Sequence, residues 1–494
     1  MGKDILRTRL KGQMDKKVLQ FLSSLKDDLW IAEEDIIGTE AHDIMLFEQG
    51  ILLENEIKQI LLSLESIKKK FQNNEIVLDD SFEDIHPFIE KCVIDEIGID
   101  IGGKIHTGRS RNDQVSVDIR LKMRNNLNDL SYNLFKLFDV LQELARNSKN
   151  IFVPLYTHLQ RGQLGVFSHY INNYTFQITR ALERIEEVYK RINANPLGAC
   201  AIGGTSVKIS RKRTTKLLGF EEIVENSIDA ISSRDYIIES LNLLSLISIQ
   251  FSRMVEDLMI WQTREFGFIE LDDRYCSVSS VLPQKKNPDT LELTRAKLSK
   301  IISNQFTASM ITKAIPSGYF RDFQELKMLL KNSFELLQSI ITILMGIFSS
   351  IKLDKEKMAE AVNESNVLAL DLAEFLVNEY KIAFRQSHEI VATLVKNSKS
   401  TTISMEKKSI EKEILKVTGQ SVSLSEESLN SIMDLEKCLE NRISQGSPSR
   451  GEVDKSIDLL EDIKKRLYEK YLLRVENVKK HETHMMDLIK KLTS

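Results

Sequence analysis

Glycine and proline are scarce in this chain, 20 and 7 among 494 residues. So few breakers leave room for few turns and long elements, which excludes a fold of many short strands and predicts an all-α, mainly helical protein. Cysteine is scarcer still. Cys92, Cys200, Cys276 and Cys438 stand far apart and form no CxxC pair, so neither a disulfide framework nor a zinc site is indicated, and a reducing cytoplasm is the expected compartment. Neither charge sign dominates: 68 basic residues against 72 acidic ones give a net charge of -4, which argues against a nucleic-acid-binding surface. Any basic site must be local. A long apolar run is also missing, because the greasiest stretch, 340–351, is interrupted by Thr342, Gly346, Ser349 and Ser350 and reads as too short for a bilayer. The opening Met-Gly-Lys-Asp-Ile-Leu lacks the apolar core of a signal segment, and Leu6 stands where a myristoylation signal wants Ser or Thr. A soluble protein without membrane partners is expected.

What is present is apolar material in helical spacing. Hydrophobic residues make up 42% of the chain, enough for two or three domains at this length. Residues 1–108 read as an N-terminal mix of short helices and loops. Residues 109–356 read as a central bundle, with apolar residues recurring at three and four positions over 115–147, 166–193, 227–266, 289–314 and 322–351. Residues 357–494 read as a smaller C-terminal helical domain with a Gln445-Gly-Ser-Pro-Ser449 turn. Helices of some thirty residues cannot all be shielded within one chain of this size, so lateral packing against further subunits is expected.

Three polar clusters break the apolar pattern. Cys276-Ser-Val-Ser-Ser-Val-Leu-Pro-Gln-Lys-Lys-Asn-Pro-Asp-Thr-Leu-Glu292 reads as a mobile loop running into a helix, with Asn287 as N-cap and Pro288 in the first turn. Unpaired N–H groups at that helix start, with Lys285 and Lys286 beside them, suit an anion, and Glu292 lies one turn inside. His106-Thr-Gly-Arg-Ser-Arg-Asn-Asp-Gln114 holds no apolar side chain. There Arg111, with Ser110 and Asn112, suits a carboxylate, since the guanidinium fork matches two oxygens. Tyr156-Thr-His-Leu-Gln-Arg161 follows Pro154 and reads as the entry to a helix carrying His158, a potential acid or base. Other motifs carry no function: Gly98 to Lys104 fits a P-loop except that Ile105 replaces the magnesium-binding hydroxyl, and His481 and His484 lie on a charged, solvated helix.

These clusters, together and in order, resemble the argininosuccinate lyases of the fumarase and aspartase superfamily. Val278-Ser-Ser-Val-Leu-Pro-Gln-Lys-Lys-Asn287 is similar to the signature Gly-Ser-Ser-x-x-Pro-x-Lys-x-Asn. The runs 106–114 and 156–161 resemble the first two conserved regions, and Asn226 to Asp235, Ser252 to Asp257 and Phe384 to His388 are similar to further stretches. The resemblance implies a mainly helical three-domain fold in which the long helices of four identical subunits share one bundle and each active site takes residues from three subunits. It implies cleavage of argininosuccinate to arginine and fumarate in arginine biosynthesis, with no metal or organic cofactor.

By the same resemblance Ser279 corresponds to the base. His158 is paired with Glu292 for the proton sent to the leaving guanidinium, and Lys285 and Asn287 supply the electrostatic setting. Ser110, Arg111 and Asn112 correspond to the succinyl-binding triplet, with Thr157, Ser280 and His86 also at the substrate. Tyr319, Gln324 and Lys327, together with Ser24 and Asp28, correspond to positions at the arginine half. The chain departs from the pattern at Val278, Cys200, Leu164, Leu326 and Met328. Val278 in place of glycine restricts the loop backbone. Adenylosuccinate lyase, which needs a purine and phosphate pocket, and a crystallin-like relative without activity are the competing readings.

Overall fold

A computed structural model describes residues 14–398 and 406–494. Five long helices form its centre: Arg111–Asn147, Phe167–Ile192, Asp235–Trp261, Asp289–Thr312 and Leu326–Ser350. The first, of 37 residues, starts where Ser110 and Asp113 cap each other's backbone in a capping box. Each presents an apolar stripe, and Leu127, Leu134, Phe138, Ile178, Leu244, Phe251, Leu298, Phe334 and Leu344 close into one core. The mainly helical expectation holds, since among the described residues the strands occur only as short pairs.

Two expected helices differ in detail. The 227–266 pattern splits into Ser227–Ser232 and Asp235–Trp261. At the break, the Arg234 guanidinium donates to the carbonyls of Ile231 (3.1 Å) and Ser233 (2.7 Å) and stacks over Phe323, so the side chain caps the chain reversal. The stretch Arg321–Ser350 is 30 residues, longer than the run visible in the sequence, and is apolar enough to cross a membrane by length and composition. Here it is a core element: Leu330, Phe334, Leu337, Ile341 and Leu344 are buried against the Arg111–Asn147 and Asp289–Thr312 helices.

A second core joins helices Ala32–Glu48, Glu54–Gln72 and Ile85–Ile97 at the N-terminal end, and a third gathers Leu372, Leu376, Ile390, Ile410 and Leu424. The last helix, Arg450–Thr493, spans 44 residues. It adds Leu460 and Leu467 to the central core and Met485 and Ile489 to the N-terminal core. A helix this long bridges both because each turn advances only about 5.4 Å.

The outer faces of two central helices carry large apolar side chains among polar ones. On Asp289–Thr312, Leu293, Phe306 and Met310 are exposed, Phe306 to 65%; on Asp235–Trp261, Leu246 and Ile249 are exposed. These exposed apolar side chains lie on two helices that pack on each other.

Candidate active site

The chain places the three clusters in three settings. At the N-terminal end of the bundle, Ser24, Asp28 and Lys327 meet. Lys327 forms an ion pair with Asp28, both essentially buried, while Ser24 Oγ donates to the same carboxylate at 2.7 Å and the Ile85 N–H at 3.3 Å. Gln324 Nε2 donates to Leu22 O at 3.1 Å, and Arg321 reaches both Leu22 O and the Glu83 carboxylate. Close by, Arg111 Nη1 donates to Asp84 at 2.8 Å, with Glu83 at 3.7 Å. Burial works against the Arg111 charge, but Asp84, Tyr319 and Glu83 outweigh it and raise its pKa. Tyr319 is half-buried and packs edge-on to Phe323. Thus Ser24, Asp28, Lys327, Gln324, Arg111 and Tyr319 share one region, with Lys327 and Asp28 turned on each other.

Ser110 caps the helix start, and Asn112 Nδ2 donates to Ala201 O at 2.9 Å. His86 lies deeper. It is buried, with Nδ1 3.0 Å from Asp35 and 3.8 Å from Asp118. Burial opposes its charge, yet Asp35 prevails and raises its pKa, while burial and then Asp35 hold Asp118 well above the usual carboxylate range. Asp35, His86 and Asp118 are the one group among the described residues whose ligand atoms suit a metal ion. The His86 ring lies between the two carboxyls and pairs with Asp35, the Arg109 guanidinium acts on both acids, and burial beside Asp35 disfavours the charged form of Asp118.

The second cluster is not a helix entry. Phe152–Thr157 and Gln160–Val166 form an antiparallel hairpin, and His158 and Leu159 are its two-residue turn with φ of 56° and 57°. Two left-handed residues in succession are the mark of a type I′ turn, usually built on Asn-Gly. Here β-carbon-bearing residues occupy it, a conformation that costs energy and puts the His158 side chain at a tip. Thr157 and His158 are exposed. No hydrogen bond or ion pair among the described residues engages either side chain.

The third cluster is a hairpin too. Ser277 pairs with Asn287 and Val278 with Lys286, which folds the signature back on itself and sets Ser279 and Ser280 beyond the pair on one side, Lys285 on the other. The pairing draws Asn287 into extended backbone, so Pro288 rather than Asn287 occupies the cap of Asp289–Thr312. Ser277 Oγ donates to the Asp289 carboxylate, which ties the hairpin to the first helical residue. Ser279 Oγ accepts N–H groups from Leu282 at 2.9 Å and Val281 at 3.3 Å. Lys286 is not free to meet an anion, since it bonds Leu271 O and the carboxylates of Asp273 and Glu270. Lys285 is exposed and no ion pair among the described residues engages it. Glu292 is exposed, its N–H bonded to Pro288 O, and it does not meet His158 within the chain.

A model for the family described as Lyase matches residues 8–303, and one described as Argininosuccinate lyase C-terminal matches 366–440. The argininosuccinate lyase of Nitrosopumilus maritimus is 42% identical over 388 residues, 78% of this chain and 79% of that protein. The argininosuccinate lyase of Methanocaldococcus jannaschii is 38% identical over 92% of this chain and 93% of its own length. The chain belongs to the argininosuccinate lyase family. It is a lyase, and among solved folds this lyase is similar to EDDS lyase in complex with formate, with a TM-score of 0.86 at 24% identity over 100% of this chain and 99% of that one. The class II fumarase of Schistosoma mansoni follows at a TM-score of 0.71 and 16% identity, over 85% and 94%. The mainly helical architecture of the superfamily is thereby shared.

The lyase's departures from pattern have structural places. Leu326 is fully buried in the central core, where a charged side chain would have to give up its hydration. Val278 is 85% exposed and sits in the loop's strand pair, an extended position that needs no glycine. Cys200, by contrast, has φ +56°, where glycine is the unstrained choice. Asp84, Glu83 and Arg321 escaped sequence reasoning although they hold Arg111 and the N-terminal segment. Their signal was the Glu-Asp-Ile-His run itself, with two acids in front of the expected histidine.

Proposed function

We propose that the three settings become one site when four copies of the chain assemble, each site drawing on three subunits. Three observations support this. The exposed Leu246, Ile249, Leu293, Phe306 and Met310 on Asp235–Trp261 and Asp289–Thr312 suit helix-on-helix packing between copies. His158 and Glu292 each lie exposed, with no side-chain hydrogen bond or ion pair among the described residues. The strained His158 turn is displayed outward, as a residue serving a neighbour's site would be. The same reading keeps the division into parts 1–108, 109–356 and 357–494, with the last helix crossing back over the other two, and places the enzyme in the cytoplasm.

The enzyme splits argininosuccinate into arginine and fumarate, an elimination in the arginine-forming direction of metabolism. A base removes a proton from the carbon next to one succinyl carboxylate, the C–N bond to the guanidino nitrogen breaks, a C=C bond forms, and the nitrogen takes up a proton. The first step builds negative charge onto the carboxylate, so preorganised donors are what the site must offer. Ser279 is the base. Two backbone N–H groups already point at its Oγ, and this is the observation that carries the assignment, because donors aimed at an oxygen favour its anionic form. Lys285 at the other side of the hairpin adds positive charge, and Asn287 fixes the strand pair that holds both.

His158, oriented by Glu292 of another copy, delivers the proton to the leaving nitrogen. Arg111, Ser110 and Asn112 clamp the succinyl end, with Thr157 and Ser280 completing it and the buried His86 holding the floor beneath. Tyr319 and Gln324 face the arginine end, and the Ser24–Asp28–Lys327 group fixes that wall. Fumarate release from argininosuccinate, followed by ultraviolet absorbance, tests the base. Ser279→Ala should abolish turnover with the oligomer and both tryptophans' fluorescence unchanged; full activity would refute the assignment.

A further inference from the structure

Asp113 is absent from the chemistry described so far, yet its carboxylate is fully buried and ties two parts of the site together. Oδ1 accepts the Ser110 N–H at 3.0 Å, which closes the capping box at the start of the Arg111–Asn147 helix. Oδ2 accepts the Gly198 N–H at 2.8 Å and the Cys200 N–H at 2.9 Å. Gly198 has φ +91° and Cys200 φ +56°, so the loop wraps the oxygen with alternate N–H groups, the concave backbone arrangement that suits an anion. The chain's own carboxylate occupies it. Arg211 closes the other side of the loop by donating to Leu197 O at 3.1 Å and Val224 O at 2.8 Å, and a Cβ on Gly198 would meet the Arg211 side chain at 2.6 Å. The loop is therefore held on both faces.

The next residue in that loop matters for the substrate. Ala201 O accepts the Asn112 amide at 2.9 Å, which fixes the way the amide faces. We propose that Asp113 is a positioning residue: its carboxylate holds the 198–201 loop against the helix start and thereby sets the orientation of Asn112 toward the succinyl end of the substrate. This rests on the reading of Ser110, Arg111 and Asn112 as the succinyl clamp. It also accounts for a cysteine at a left-handed position, since the charge-assisted bond from its N–H offsets the strain of a side chain there. A plain helix cap would need only the Ser110 bond.

The discriminating readout is affinity for each product separately, taken as inhibition constants for fumarate and arginine in the intact oligomer. Asp113→Asn places an NH2 against backbone donors, and the loss of a charge-assisted bond should weaken fumarate about tenfold while arginine inhibition stays unchanged and KM rises more than kcat falls. Asp113→Glu, which keeps the charge but moves it by one methylene, should show the same one-sided loss and serves if the asparagine variant does not fold. Equal weakening of both products, or of neither, would overturn the inference and leave Asp113 as a helix cap. Asn112→Ala separates the two layers: if it weakens fumarate while the Asp113 variants do not, the clamp stands and the positioning role falls; if it leaves fumarate unchanged, the clamp reading falls first.

Discussion

Lys327→Met separates what the buried ion pair does for stability from what it does for catalysis. Lys327 is 3% exposed and Asp28 0%, so removing the ammonium leaves a carboxylate without its counter-charge in a place water does not reach. Breaking one side of a buried pair costs about 3–5 kcal/mol. Asp28 keeps the Ser24 hydroxyl at 2.7 Å and the Ile85 N–H at 3.3 Å, which places the cost near the lower end, about 3 kcal/mol. The double variant Asp28→Asn/Lys327→Met neutralises both partners and retains acceptors for those two donors. It should recover most of that loss, because a neutral, well-packed pair is often as stable as the ionic one. Urea unfolding followed by fluorescence measures this, and Trp30, two residues from Asp28 and one of only two tryptophans, reports on the region directly. Fumarate release is measured in parallel. The single variant should be unstable and inactive, the double variant stable and inactive. A single variant within about 1 kcal/mol of the parent, the range of an exposed pair, or a double variant no more stable than the single, would refute the reasoning.

Two further outcomes follow from the same interior. Asp43 is fully buried, neither carboxylate oxygen has a hydrogen-bond partner among the described residues, and burial, only partly opposed by Arg109, pushes its pKa up to about 8. The unfolded chain loses that proton near the ordinary value of 3.8, so between these two pH values the native state holds more protons and stability falls as pH rises; Asp43→Asn should flatten that slope and raise the urea midpoint at pH 8, and an unchanged slope would contradict it. A Cβ on Gly346 would collide with the Tyr275 hydroxyl, so Gly346→Ala should cost about 1–3 kcal/mol by overpacking and slow turnover by displacing the lead-in to the Ser279 loop; the penalty should shrink in a Tyr275→Ala background, and an equal penalty there would place the strain elsewhere.

How much of this was legible in the sequence depended on whether a feature is local. The long helices were readable because apolar spacing along one stretch of chain sets them, whereas Ser110, read as part of a carboxylate clamp, also closes a capping box with Asp113. The His158 hairpin was not, because His-Leu carries none of the Gly or Asn that marks a left-handed turn, and its conformation is imposed by the paired strands. Asn287 looked like a cap next to Pro288, but its pairing with Ser277 is a contact between residues ten apart that no local rule predicts. Lys286 looked like site charge until the partners Glu270 and Asp273 came into place from the preceding segment. Asp113 was visible only as the eighth residue of the polar run 106–114; its second set of partners, Gly198 and Cys200, is supplied by the fold.

In the proposed assembly, four copies bring together the side chains that one chain keeps apart. Purified His158→Asn and Ser279→Ala proteins, each inactive alone, can be dissociated, mixed and reassembled, then assayed for fumarate release from argininosuccinate. If His158 and Ser279 of one site come from different subunits, some mixed oligomers contain a site with both residues intact, and activity should reappear on mixing. Mixed oligomers that form but stay inactive, or an active monomer of the parent protein, would contradict the account.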